Sequence, residues 1–145
     1  MGFLKPVFCA LSLVTLTACA ARGEAFYSRP GVTLSQYHTD KDACRDAANA
    51  AAEDVGAGRG REDFIRIGRE TRGPPAYRRG SAMAAAHYTV MRECLSERGY
   101  YAVRLTAREN RELKSVRDYE AMMAWIDDFV VNRSQDRVRR LAETS

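Results

Sequence analysis

Catalytic apparatus is what this sequence has least of. There are only two histidines, His38 and His87, in 145 residues. No His-Glu-x-x-His, Gly-x-Ser-x-Gly or phosphate-cradling glycine loop occurs, so zinc-peptidase, serine-hydrolase and nucleotide-binding chemistry lack their usual carriers. The acid pairs Glu62-Asp63 and Asp127-Asp128 are neighbours in sequence, so they do not flank a substrate from two sides. Metal-ligand spacing is missing as well. There is no Cys-x-x-Cys; His87 and Cys94 lie two helical turns apart, about 10 Å, whereas ligands on one helix grip an ion at i, i+3 or i, i+4. His38 and Cys44 fall on different helix faces. No catalytic residue, metal or cofactor is expected. The last absence is a long hydrophobic run: the apolar stretch 7–17 has eleven residues, well short of the roughly 20 that cross a bilayer as a helix.

That stretch is informative in another way. Lys5 precedes it and small residues followed by a cysteine end it, the layout of an export signal over residues 1–18. Leu16-Thr17-Ala18-Cys19 resembles the lipobox of bacterial lipoproteins, in which the thiol receives a diacylglyceryl group and the chain is cut before the cysteine. Ordinary cleavage at Ala18-Cys19-Ala20 is the alternative, and it releases a soluble protein without Cys19. Each buried CH₂ contributes about 0.8 kcal/mol, so two or three acyl chains on Cys19 form a near-permanent membrane anchor. In Gram-negative lipoprotein sorting an Asp after the cysteine commonly retains a protein at the inner membrane. Here the residue is Ala20, and the resemblance implies the periplasmic face of the outer membrane.

The cysteines follow from this address. Cys9 leaves with the signal and Cys19 is the lipidation site, so Cys44 and Cys94 remain in an oxidising compartment where thiols pair. A disulfide between them is expected. Closing a loop of that length stabilises by about 4 kcal/mol in the chain-entropy model. That matters because much of the 46% hydrophobic content is alanine, which buries little area per residue.

Charge is concentrated. The chain carries a formal +4, and residues 56–80 hold seven arginines (Arg59, Arg61, Arg66, Arg69, Arg72, Arg78 and Arg79) against Glu62, Asp63 and Glu70. The rest of the exported chain is close to neutral. A local excess points to one anionic contact surface. In an envelope the candidates are lipid headgroups, lipopolysaccharide phosphates, peptidoglycan carboxylates or an acidic protein; nucleic acid is not expected of an exported chain. The alternative is a solvated arginine-rich loop that binds nothing specific.

Periodicity gives the scaffold. Residues 19–32 form a tether and an extended segment around Phe26-Tyr27, turned by Pro30-Gly31. Thr33 and Gln36 read as a capping box opening a helix to about Val55, with a stripe of Leu34, Tyr37, Cys44, Ala48, Ala51 and Val55. Residues 56–80, rich in glycine and containing Pro74-Pro75, are expected to be a loop apart from a turn or so near 63–67. Ser81 is placed as the cap of a second helix running to Arg98 before Gly99, its stripe traced by Ala84, His87, Met91, Cys94 and Arg98 with Tyr88 and Leu95 beside it. In an antiparallel hairpin Cys44, about 16 Å before one helix end, and Cys94, about 20 Å after the other start, then lie at similar depths. Residues 100–105 favour a strand beside Phe26-Tyr27. Thr106 and Glu109 form a capping box, and Ser115 and Asp118 offer a further start on the way to Val131. On that stretch Trp125 and Phe129 belong to a broad apolar face that covers the hairpin, with an exposed partner surface as the other reading. Residues 132–145 are a basic tail, capped by Ser134 and bearing Arg137, Arg139 and Arg140. The fold class is mainly α: a disulfide-clamped antiparallel helical hairpin within a helical domain 33–131, C-terminal helices, and room for a short two-stranded β element.

The arrangement is similar to small two-cysteine lipoproteins of Gram-negative, chiefly alphaproteobacterial, genomes. These carry an aromatic segment and Pro-Gly turn after the lipobox, an Asp-x-x-x-Cys helix, and a later Cys followed by a Gly-aromatic pair. Here the elements are Phe26-Tyr27, Pro30-Gly31, Asp40 to Cys44, and Cys94 to Gly99-Tyr100. Leu95 departs from a position where such proteins often have Met. The resemblance implies location, disulfide and fold, and no activity. The expectation is a membrane-anchored interaction or structural module, with an inhibitor or accessory subunit of a periplasmic enzyme or secretion complex as the alternative.

Overall fold

A computed structural model describes residues 25–145; the expected signal segment 1–18, the expected lipidation site Cys19 and the first part of the expected tether lie outside the described residues. Two long helices form the frame. Helix α1 (Leu34–Gly56) opens where Thr33 Oγ1 accepts the Gln36 N–H at 3.2 Å, and it buries Tyr37, Cys44, Ala48 and Val55. Helix α3 (Pro75–Glu97) ends at Gly99, whose φ of +80° needs a residue without a Cβ penalty, while the Tyr100 N–H closes back on the Leu95 carbonyl at 3.0 Å. The two run antiparallel and are joined by the Cys44–Cys94 disulfide, with Cα atoms 5.5 Å apart. Gly56 lies against Met83 in the same register.

The second helix begins earlier than the sequence suggests. Pro75 occupies its first position, where a missing N–H costs nothing and φ is already helical. Ser81 is not a cap: it lies inside α3, and its hydroxyl donates to the Tyr77 carbonyl at 3.1 Å. Helix α3 therefore overshoots the end of α1 by about two turns, and this overhang receives helix α2 (Glu62–Glu70). The expected loop 56–80 is thus mostly helical. Glu62 and Asp63 suit the first turn of α2. Phe64, only 3% exposed, joins Val55, Ala82 and Ala86 in a small second core. Gly68 permits the close approach, since a Cβ there would stand 3.1 Å from the Ala82 Cβ and 3.2 Å from the Arg78 carbonyl oxygen. The stripe on α3 also differs: Ala82, Ala86 and Leu95 are buried, whereas Ala84 is exposed and Tyr88 is 76% exposed.

Strand β1 (Ala25–Ser28) pairs antiparallel with β2 (Tyr101–Arg104), placing Phe26 opposite Val103 and Tyr27 opposite Ala102. Helix α4 (Ala107–Ser115) starts in the expected capping box, with Glu109 N–H donating to Thr106 Oγ1 and Thr106 N–H to Glu109 Oε2. The chain then breaks. Asp118 accepts the Ala121 N–H at 2.8 Å and opens α5 (Tyr119–Asp128) afresh. A π-helical segment (Phe129–Arg133) leads directly into α6 (Gln135–Glu143).

The π segment locks the C-terminal half to the strand. Its widened turn sends the Ser134 N–H to the Phe129 carbonyl at 2.9 Å. The Val130 carbonyl accepts from Ser28 Oγ, Ser134 Oγ and Gln135 Nε2 at 2.7, 3.0 and 3.0 Å. Gln135 also takes the Gly31 N–H, so one amide joins the Pro-Gly turn to α6. Ser134 is accordingly a buried anchor rather than a side-chain cap, and residues 132–145 are a docked helix rather than a tail, with Val138 completely buried. The broad aromatic face goes inward: Phe129 is fully buried and half-buried Trp125 stacks on it at 5.5 Å.

Candidate anion-binding lobe

The residues of the two-cysteine pattern converge, and what they build is a lock. Asp40 on α1 accepts from Arg98 at 2.7 Å and from the Tyr100 hydroxyl at 2.9 Å, with Arg29 at 3.7 Å. Arg29 in turn lies over the Tyr100 ring, 5.0 Å from its centre, and donates to the Arg98 carbonyl. The strand entry, α1 and the end of α3 are joined one turn away from the disulfide. Both Asp40 oxygens and the Tyr100 hydroxyl are engaged within this cluster, so it acts as a structural tie.

The same cluster makes stability depend on pH. Burial pushes the Asp40 carboxyl up, but hydrogen bonds from Arg98 and Tyr100 and the charges of Arg29 and Arg98 outweigh it and hold the group below its ordinary 3.8. Burial likewise opposes ionisation of Glu109, and the Thr106 N–H with Arg137 outweighs it, leaving that carboxyl below 4.5. A carboxyl depressed on folding stabilises fully above its unfolded value and loses that contribution as pH falls through the folded one. The melting temperature is therefore expected to drop as pH falls below 4.5, and Asp40→Asn to flatten that drop. An unchanged acid slope in the variant would remove Asp40 from the account. At the other end, burial pushes Tyr37 and Tyr100 up to about 12, so the stability they add is lost as pH rises from 10 through 12.

The seven arginines lie on the overhang and its approach, and they divide into two sets. Arg59 pairs with Asp54 at 3.2 Å, and Arg69 pairs with Glu62. Arg61 grips Asp63 through two nitrogens, reaches Glu93 at 3.2 Å and covers the Phe64 ring, so it staples α2 onto α3. Its hydrogen bonds to Asp63, with that carboxylate's charge, raise its pKa, and Asp63 is lowered in return. Arg66, Arg72, Arg78 and Arg79 form no ion pair among the described residues. Arg66, Arg72 and Arg79 are exposed, and Arg78 is half-buried.

Between the end of α1, α2 and the start of α3 lies a cleft of about 480 Å³. Gly56, Gly58 and Gly68 form part of its wall, Arg69, Arg78 and Arg79 line it, and no carboxylate does. The carbonyls of Glu53, Asp54 and Val55 in the adjoining last turn of α1 are already taken by the N–H groups of Ala57, Arg59 and Gly58. The Nε of Arg78 is buried without an acceptor among the described residues. The cleft is thus rich in donors and poor in acceptors. The arginines of the cleft were visible in the sequence but its glycine wall was not; the signal was Gly68 directly after Phe64-Ile65-x-Ile67, a segment expected to be a loop that is instead a helix face packed closely on another.

The histidines are not brought into a common site. His38 contacts Asp127 at 3.2 Å and ties α1 to α5, while His87 lies edge-on to Tyr88. Among the described residues no cluster of three or more His, Cys, Asp or Glu is arranged to hold a metal, and no helix is long and apolar enough to cross a membrane. No protein-family model matches the sequence, and no curated protein or solved structure matches it either, so the functional reading rests on the geometry.

Proposed function

We propose that this chain is an exported envelope lipoprotein, anchored through Cys19 at the periplasmic face of the outer membrane, that works without catalysis by presenting its arginine lobe to an anionic envelope component or acidic protein. The observation that carries this reading is the division of the arginines: those that hold the lobe together are ion-paired, whereas Arg66, Arg72, Arg78 and Arg79 lie on the same lobe and form no ion pair among the described residues. A merely solvated basic segment has no need of a folded platform with its own small core. The intramolecular disulfide supports an oxidising compartment.

Crosslinking in intact cells, followed by isolation of the protein, tests the reading. Reversing Arg66, Arg72 and Arg79 to Glu is expected to cut recovery of the partner at least tenfold while leaving the melting temperature within a degree or two, because all three are exposed and unpaired. Binding by the unaltered protein should weaken with salt. An unchanged partner profile in the triple variant would exclude the lobe. Cys19→Ala, made separately, is expected to move the protein from the membrane to the soluble fraction.

A further inference from the structure

We infer that the cleft between α1, α2 and α3 is a binding site for a phosphate monoester, a dianionic tetrahedral group on a lipid or on a soluble molecule. The inference rests on the anionic-partner reading above and names the chemistry of one site within it. The charges decide between ligand classes. Arg69 is countered by Glu62, which leaves Arg78 and Arg79 as two uncompensated cations at the cleft. A carboxylate or phosphate diester, each carrying one negative charge, leaves one of them unmatched. A phosphate monoester carries about −1.5 to −2 at neutral pH and matches both.

The donors agree with the charges. The guanidinium of Arg78 has a buried Nε still lacking an acceptor, and a planar fork of N–H groups is suited to the paired oxygens of a phosphate. Gly58, where a Cβ would meet nothing within 4 Å, leaves its stretch of the wall without a side chain, so a group with bulk in three directions can approach the backbone there.

The test is a titration of the purified full-length protein with inorganic phosphate, followed by the backbone amide signals of Gly56, Gly58 and Gly68 at constant ionic strength. Phosphate is expected to shift those three signals saturably and acetate to do so much less. Arg79→Gln, at an exposed position, and Arg78→Gln are each expected to weaken the phosphate response about tenfold, the loss of one charge-assisted contact, while Arg117→Gln, exposed and outside the lobe, leaves it unchanged. Vesicles separate the sources: preference for phosphatidic acid over phosphatidylglycerol at equal surface charge assigns the group to a lipid headgroup, and phosphate binding without that preference assigns it to a soluble ester. Equal responses to acetate and phosphate, or full phosphate affinity in both cleft variants, would overturn the inference. If that happens while the Arg66, Arg72 and Arg79 reversal still releases a partner, the lobe binds anions at its surface and the cleft is not the site.

Discussion

Reduction of the Cys44–Cys94 bond is expected to cost about 4 kcal/mol of folding stability, and replacing both cysteines by alanine a similar amount. The bond spans 50 residues of sequence, so breaking it restores a large loop to the unfolded ensemble. Cys44 is fully buried in the main core, and the bond crosses the seam between α1 and α3. For a domain of this size, with total stability of roughly 5–15 kcal/mol, such a loss is a major fraction. Urea denaturation with and without reductant measures it. The effect should be uneven, because the closed loop contains the second half of α1, all of α2 and most of α3. Hydrogen exchange on the reduced protein should therefore accelerate most in residues 45–93 and least around β1, β2 and α6, which are held by the Ser28, Val130 and Gln135 hydrogen bonds. A cost below about 1 kcal/mol would mean that packing alone sets the helix pairing.

Much of this frame was legible because its signals are local or combinatorial. Thr33, Thr106 and Asp118 each satisfy free N–H groups of the helix that follows them, a requirement visible within four residues. Gly99 followed by an aromatic marks a left-handed helix end, and two short aromatic and β-branched segments mark the two strands, although not the register that sets Phe26 opposite Val103. Less accessible was anything decided by a distant neighbour. Composition made 56–80 look like a loop, since glycine and proline are read as breakers; Pro75 is in fact an N1 residue, and Gly68 is a contact point whose value depends on Ala82. The π segment has no sequence signature in Phe129–Arg133 itself. It exists because Ser28 and Gln135, remote from it in the chain or beyond its end, occupy the Val130 carbonyl. The same limit applied to the lobe: the seven arginines were countable, but their division into stapling and uncompensated sets depends on which acids α2 and α3 bring near them.

Truncating Phe129 to alanine should be the most damaging single substitution in the C-terminal half, with an expected loss of about 3–5 kcal/mol. The ring has no exposed surface. It meets Phe26 edge-on at 5.7 Å, stacks with Trp125 at 5.5 Å, and lies beneath the Arg137 guanidinium at 5.2 Å, so three elements lose a common contact when it is removed. Phe129 is also the first residue of the π segment, and its carbonyl receives the Ser134 N–H. A cavity there loosens the support of the Val130 carbonyl and of the strand that Ser28 holds against it. Phe129→Leu keeps most of the volume and is expected to cost much less, about 1–1.5 kcal/mol. Trp125→Ala removes a larger ring, yet should cost less than Phe129→Ala because half-buried Trp125 keeps part of its surface in water. Denaturant unfolding of the three variants settles the order. If Trp125→Ala proved the more damaging, the aromatic stack would be anchored from its outer ring, and the packing of α5 on β1 would have to be read the other way round.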